Sequence, residues 1–198
     1  MKHNHEYVFF YTKHDYPSQH SPHGFNFKGF HFKSCEHWMM FHKNRVCALG
    51  EKATMEDVIA FIENDKAKRG PKGHPTLFER IIDANTPQQA KMLGRDVKPY
   101  SDSVWHKHRS SVVYYGNLLK FRQNESIRNE LIKHAGKTFV EASAKDRIWG
   151  IGIGIDSIDI NNPPHPSTWR GENLLGKVMD KVAIQISKEF TRQQTLEL

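Results

Sequence analysis

Between Thr54 and Gln89 the chain repeats one helix-start signal three times. Thr54 stands three residues before Asp57, Thr76 three before Glu79, and Thr86-Pro87 leads to Gln89 at the same offset. A threonine hydroxyl at a helix boundary accepts from the N–H three residues on, and the side chain there bonds back to the boundary N–H. Proline after Thr86 suits the first helical position, which needs no N–H. The first signal opens onto Val58, Ile59, Phe61 and Ile62, and Gly94 is a natural stop for the third. A chain punctuated this way builds its middle from short helices, not from sheet.

The flanks carry different periods. Val8, Phe9 and Phe10, then Phe25, Phe27, Phe30 and Phe32 around Lys28-Gly29, predict short strands with a tight turn. Residues 102–123, with Trp105, Val112, Val113, Leu118, Leu119 and Phe121, predict a long helix. Asn124 is a candidate start for the next helix and Gly136 its stop. Residues 138–142 read as a strand, a Gly- and Pro-rich loop runs to Pro166, and residues 172–190 read as a closing helix. The expected class is α+β, predominantly helical with a few short strands, as one domain over residues 1–198.

Thirty-seven per cent hydrophobic and 26% charged residues fit an ordinary globular chain. No run is long and apolar enough to cross a bilayer, so no membrane partner is expected. The opening residues 1–6 lack the apolar core of a secretory signal, and Cys35 with Cys47 makes no disulfide framework. A cytoplasmic setting is the expectation. The net charge of +7 favours an anionic partner. Its one dense run, residues 66–74, is either a solvated loop or a phosphate contact.

Residues 34–43 hold the first candidate chemistry. Glu36 and Lys43 lie seven residues apart, close to two helical turns, and so share a face with Met39 and Met40 between them. A charged pair over an apolar floor suits a small-molecule pocket. An amphipathic surface helix with two solvated charges is the plainer alternative.

Five segments resemble the YbiA-like family, also called NADAR. They are residues 34–43; Lys91-Met92-Leu93-Gly94-Arg95-Asp96-Val97 with Trp105; Val112-Val113 with residues 116–121; residues 140–152; and residues 169–176. The resemblance runs from about residue 9 to residue 186. It implies a YbiA-like domain and N-glycosidase chemistry, the cleavage of a base-to-ribose bond. One branch of the family is linked to phosphorylated riboflavin-pathway intermediates, another to removal of ADP-ribose from guanine in nucleic acid. The implied partner is therefore ADP-ribosylated nucleic acid or a phosphorylated nucleotide-like small molecule, with no cofactor. Two departures bear on substrate contacts: His20 follows Ser18-Gln19 where an aromatic is usual, and Ala144 replaces a common proline.

Breaking an N-glycosidic bond puts positive charge on the ribose and negative charge on the leaving base. The resemblance points to Glu36 as the carboxylate near the anomeric carbon. Lys43 is a phosphate contact, a nucleophile forming a Schiff base, or a salt-bridge partner of Glu36. Asp146, before an aromatic turn, is the third catalytic candidate; turns and caps also favour aspartate. Trp105, Trp149 and Trp169 are candidate base platforms, though each also suits a core. Arg95 and Lys120 are candidate phosphate contacts, with Lys120 alternatively a solvated helix residue. Glu141 and Asn173 complete the binding candidates, Asn173 with an N-cap as its alternative. The Gly150-Ile151-Gly152-Ile153-Gly154 run lacks the context of a dinucleotide loop. His31, Cys35, His37, His42 and Cys47 match no standard zinc spacing, so no metal is expected. A non-catalytic ADP-ribose or nucleic-acid reader is the competing class.

Overall fold

Along the chain the elements run β1 (Lys2–His3), β2 (Tyr7–Phe10), β3 (Phe25–Phe27), β4 (Phe30–Phe32), α1 (Cys35–Asn44), α2 (Met55–Arg69), α3 (Leu77–Asp83), α4 (Pro87–Leu93), α5 (Asp102–Gln123), α6 (Glu125–Lys133), β5 (Thr138–Glu141) and α7 (Leu174–Leu196). This computed structural model describes residues 1–70 and 73–196, the last six of these by backbone alone. Pro71 and Lys72 of the basic run, and Glu197 and Leu198 of the expected domain, lie outside the described residues. The class is α+β and mainly helical. Among the described residues no helix is long and apolar enough to cross a membrane.

The three threonine signals at residues 54, 76 and 86 all form as reciprocal capping boxes, opening α2, α3 and α4. Each satisfies backbone donors that the helix itself leaves unmet. The Lys28-Gly29 turn also forms. Both residues have positive φ, 49° and 81°, and Phe27 pairs with Phe30, which is the two-residue hairpin geometry that follows strand twist.

The chain divides into two units, Gly24–Gly116 and Met1–His23 with everything from Asn117 onward. In the second of these the sheet order is β1-β2-β5. β1 runs antiparallel to β2, and β2 runs parallel to β5 with Tyr7 opposite Thr138 and Phe10 opposite Glu141. Val8, Phe9, Phe10, Phe139 and Val140 have no exposed surface, as expected of parallel strands covered on both faces. α7 packs on β5. Its first turn lies so close that a Cβ on Gly176 would meet the Phe139 carbonyl oxygen at 2.1 Å. Lower down, Asp180 Oδ1 accepts from the Phe139 N–H at 2.7 Å.

In the Gly24–Gly116 unit α1 is the axis. α3, α4 and β4 pack around it. Every residue of α1 but Lys43 is buried, so the surface-helix alternative fails. Phe25, Phe27 and Phe32 enclose Trp38, whose Nε1 donates to the Val112 carbonyl at 2.8 Å. Past Asn44 the helix loosens into one π-helical turn over Arg45–Leu49.

Several details differ from the sequence expectation: α7 runs Leu174–Leu196 rather than over residues 172–190, and β5 ends at Glu141 rather than 142. α6 ends at Lys133, before Gly136, because His134 and Ala135 already turn back onto Leu131 and Ile132. Asn124 stands at the start of α6, yet its side chain donates to the Lys120 carbonyl rather than capping.

Candidate active site

Glu36 occupies the first turn of α1 and is 4% exposed. A helix N-terminus is the favourable end for a buried carboxylate. Lys43 sits in the last turn and is the half-buried exception on that helix. Its Nζ donates to the Gly94 carbonyl at 2.7 Å and lies 4.6 Å from the centre of the Tyr100 ring. Burial lowers the Lys43 pKa below its ordinary value; Cys47 and Glu36 oppose that shift, and Arg95 adds to it. Glu36 and Lys43 thus share one helix and one electrostatic environment, with exposed Arg95 beside them.

The Gly94 contact is a packing consequence. A Cβ on Gly94 would meet Met40 Sδ at 2.0 Å, so glycine lets the end of α4 close on α1 without displacing the Met40 side chain. That approach brings the carbonyl to Lys43. Tyr100, which lies against the lysine, was not singled out in the sequence, and no periodicity or motif marks it. Trp105 is 8% exposed, which fits a core tryptophan.

His37 and His42 belong to the packing. His37 is bonded to Ser34 Oγ at 2.8 Å and donates to the Ala84 carbonyl at 3.0 Å. Burial, helped by Arg45, brings His42 down to about 3, so it is neutral. The basic run begins on α2, where two of its cations are paired: Arg69 bonds Glu79 at 2.8 Å and pairs with Asp65, while Lys66 pairs with Glu79.

The other candidates lie in the β1-β2-β5 unit. Asp146 is a turn residue in the structure: its Oδ1 accepts from the Ile148 and Trp149 N–H groups at 2.9 and 2.8 Å. Trp149 is half-buried, and its carbonyl accepts from Leu175 at the start of α7. Trp169 packs against the cluster of Phe9, Val140, Ala142, Ile151 and Ile158, with Nε1 donating to the Pro164 carbonyl at 3.2 Å. It is partly buried and packs at the edge of that core.

Asn173 is 1% exposed with φ of 51°. Its Oδ1 accepts from the Glu141 N–H at 3.0 Å and its Nδ2 donates to the Phe139 carbonyl at 2.9 Å. It clips α7 to β5 and fixes the backbone of Glu141, the last residue of that strand. Lys120 is fully buried, which overturns the solvated alternative. Its Nζ donates to the Tyr16 and Ser18 carbonyls at 2.9 and 3.4 Å. It anchors the loop after β2.

The geometry thus brings Glu36, Lys43 and Arg95 together in one unit, and Glu141, Asn173, Asp146 and Trp149 around β5 and α7 in the other.

Comparison with known proteins follows the same lines. A family model described as the NADAR domain matches residues 1–187. A protein of Acanthamoeba polyphaga mimivirus named as an N-glycosidase is 40% identical over 105 residues, which are 53% of this chain and 60% of that protein. Protein irg-1 of Caenorhabditis elegans is 36% identical over 124 residues, 62% of this chain and 56% of that protein. The chain spans somewhat over half the length of these curated relatives. The NMR structure of the E. coli protein YbiA shares the fold, with a TM-score of 0.63 at 19% identity over 96% of this chain and 90% of that one. With the family model running along nearly its whole length, the chain belongs to the NADAR domain family.

Proposed function

We propose that this protein is an N-glycosidase that cleaves a base-to-ribose bond and removes ADP-ribose from ADP-ribosylated guanine in nucleic acid. The observation that carries the chemistry is the pair on α1: a buried carboxylate, Glu36, and a lysine, Lys43, whose pKa burial lowers. Family membership and the relative named as an N-glycosidase support the reaction class.

Lowering the Lys43 pKa raises the fraction of neutral amine at neutral pH, and the neutral amine is the nucleophile. Lys43 Nζ bonds to the anomeric carbon as the base leaves with the glycosidic electron pair and takes up a proton. The ribosylamine opens to a Schiff base. Water then adds to the imine carbon, and the bond to Nζ breaks, returning the lysine and releasing the sugar as its aldehyde. Glu36 stabilises the positive charge that builds on the sugar and accepts a proton from the attacking water. A reader needs no such pair, because binding alone does not call for a buried carboxylate and a lysine of lowered pKa on one helix.

The anionic substrate is argued from charge. Lys91, Arg95 and Lys98 are exposed and flank Gly94, whose carbonyl holds Lys43. A polyanion gains from such a rim and from the net charge of +7. The test is mass-spectrometric product analysis with ADP-ribosylated guanine DNA and, separately, with the phosphorylated riboflavin-pathway pyrimidine, each beside Glu36→Gln. The reading requires free ADP-ribose and restored guanine, absent with Glu36→Gln. Cleavage of the pyrimidine alone moves the substrate to the metabolic branch, and ADP-ribose binding with no cleavage makes the protein a reader.

A further inference from the structure

We infer that Tyr100 is a positioning residue for the reaction: its ring face and the Gly94 carbonyl together fix where Lys43 Nζ stands and which way its lone pair turns when the proton leaves. The inference rests on the reading of Lys43 as the nucleophile.

A lysine carries its amine on a flexible four-carbon stem, so an unheld amine samples a wide volume. Here Nζ is held twice. It donates to the Gly94 carbonyl at 2.7 Å and lies over the Tyr100 ring, 4.6 Å from its centre. Both contacts come from the connection between α4 and α5, Gly94 where α4 ends and Tyr100 just before α5 begins. That connection is itself pinned. The Arg95 and Asp96 N–H groups donate to the Met92 and Leu93 carbonyls at 3.0 and 2.9 Å, and Val97 is buried. Cys47 Sγ, four residues beyond Lys43, lies 3.9 Å from the Ser101 carbonyl. Tyr100 Oη donates to Asp102 Oδ1 at 3.0 Å, a carboxylate in the first turn of α5. Burial and then Asp102 raise the Tyr100 pKa, so the phenol keeps the proton it donates. Yet the ring is 48% exposed, so core packing does not account for its placement.

The charged groups around Lys43 oppose one another. Burial lowers its pKa; Cys47 and Glu36 oppose the shift, Arg95 adds to it, and Asp102 opposes it again. The negative ring face joins the opposing groups, because it attracts a cation. Loss of the proton leaves a neutral amine that still has N–H groups, so the Gly94 bond survives while the attraction to the ring fades. A carbonyl oxygen cannot receive the new lone pair, and the ring face repels it. The lone pair is therefore turned away from both contacts, and the amine is ordered before any ligand arrives. Ordering completed in the folded protein does not have to be supplied during the reaction.

The test compares wild type with Tyr100→Phe, which keeps the ring, and Tyr100→Leu, which keeps apolar cover without a ring face. Lys43 is titrated by NMR in the isotope-labelled full chain, turnover of ADP-ribosylated guanine DNA is followed against pH, and Tm is recorded for each. In Tyr100→Leu the Lys43 titration moves to lower pH, and its neutral fraction at pH 7 rises about 2- to 5-fold. The rising limb of the pH–rate profile moves the same way, while the high-pH plateau falls about 10-fold because the amine is no longer fixed. Tyr100→Phe follows wild type in both readouts. A Lys43 titration unmoved in Tyr100→Leu would make the ring a packing residue and overturn the inference, whatever the Tm. Equal changes in Phe and Leu would assign the effect to the hydroxyl and overturn it too, as would an undiminished plateau in Tyr100→Leu. A titration that moves as expected in a protein whose wild type shows no turnover strikes the glycosidase proposal alone.

Discussion

Asp180 is the sharpest place to test how α7 is held on β5. Its carboxylate accepts from the Phe139 N–H at 2.7 Å, yet burial outweighs that bond and raises its pKa from 3.8 to about 6. Ionising Asp180 therefore costs the native state more than the unfolded chain. At about 1.4 kcal/mol per pH unit, the rise from 3.8 to about 6 amounts to about 3 kcal/mol of destabilisation once both states are ionised. The sign is fixed: this penalty is absent below pH 3.8, grows as pH rises through about 6, and is complete above it. Asp180→Asn removes the charge and keeps a carbonyl acceptor for Phe139. The value of about 6 already contains the Phe139 bond, and below it the wild-type acceptor is itself a neutral carboxyl. The net expectation is a variant more stable than wild type by about 3 kcal/mol at pH 8 and about equal to it near pH 4. Urea unfolding at several pH values measures both. A variant no more stable than wild type at pH 8 would show that the ionised carboxylate is not penalised in the fold and would refute the reasoning.

Other outcomes follow from single contacts. Gly94→Ala drives a Cβ into Met40 Sδ, so it lowers stability by about 1–3 kcal/mol and, by moving the carbonyl away from Lys43, lowers turnover as well; unfolding and product assays check the two together. Asn173→Ala removes both bonds to β5 and places a Cβ residue without a polar side chain at positive φ, at a cost of about 2–4 kcal/mol in urea unfolding. Asp146→Asn keeps the acceptor for Ile148 and Trp149, so a turn role leaves Tm and activity near wild type; loss of activity with unchanged Tm would give Asp146 a part in the chemistry.

Much of the fold was legible because local chemistry decides it. Three threonines with an acid or amide three residues on start three helices, and Lys28-Gly29 makes the turn its φ angles require. That Glu36 and Lys43 share one helix was legible because spacing decides it. The site was illegible where roles depend on tertiary contact. Lys120 reads as a helix-surface cation, but the fold buries it beneath two carbonyls more than a hundred residues away in sequence. Asn173 reads as a cap or a ribose contact, and only the packing of α7 on β5 shows that its amide is engaged by strand backbone. Trp169 packs against a cluster drawn from β2, β5 and the following loop, partners that no local pattern reveals.

The central claim is that Lys43 attacks the sugar. It is tested most directly by borohydride reduction during turnover of ADP-ribosylated guanine DNA, followed by peptide mapping. The account predicts a reduced ribosyl adduct on Lys43, absent from Lys43→Ala, which also has no turnover. Full turnover by Lys43→Ala, or rapid wild-type turnover that leaves no adduct on Lys43, would contradict it.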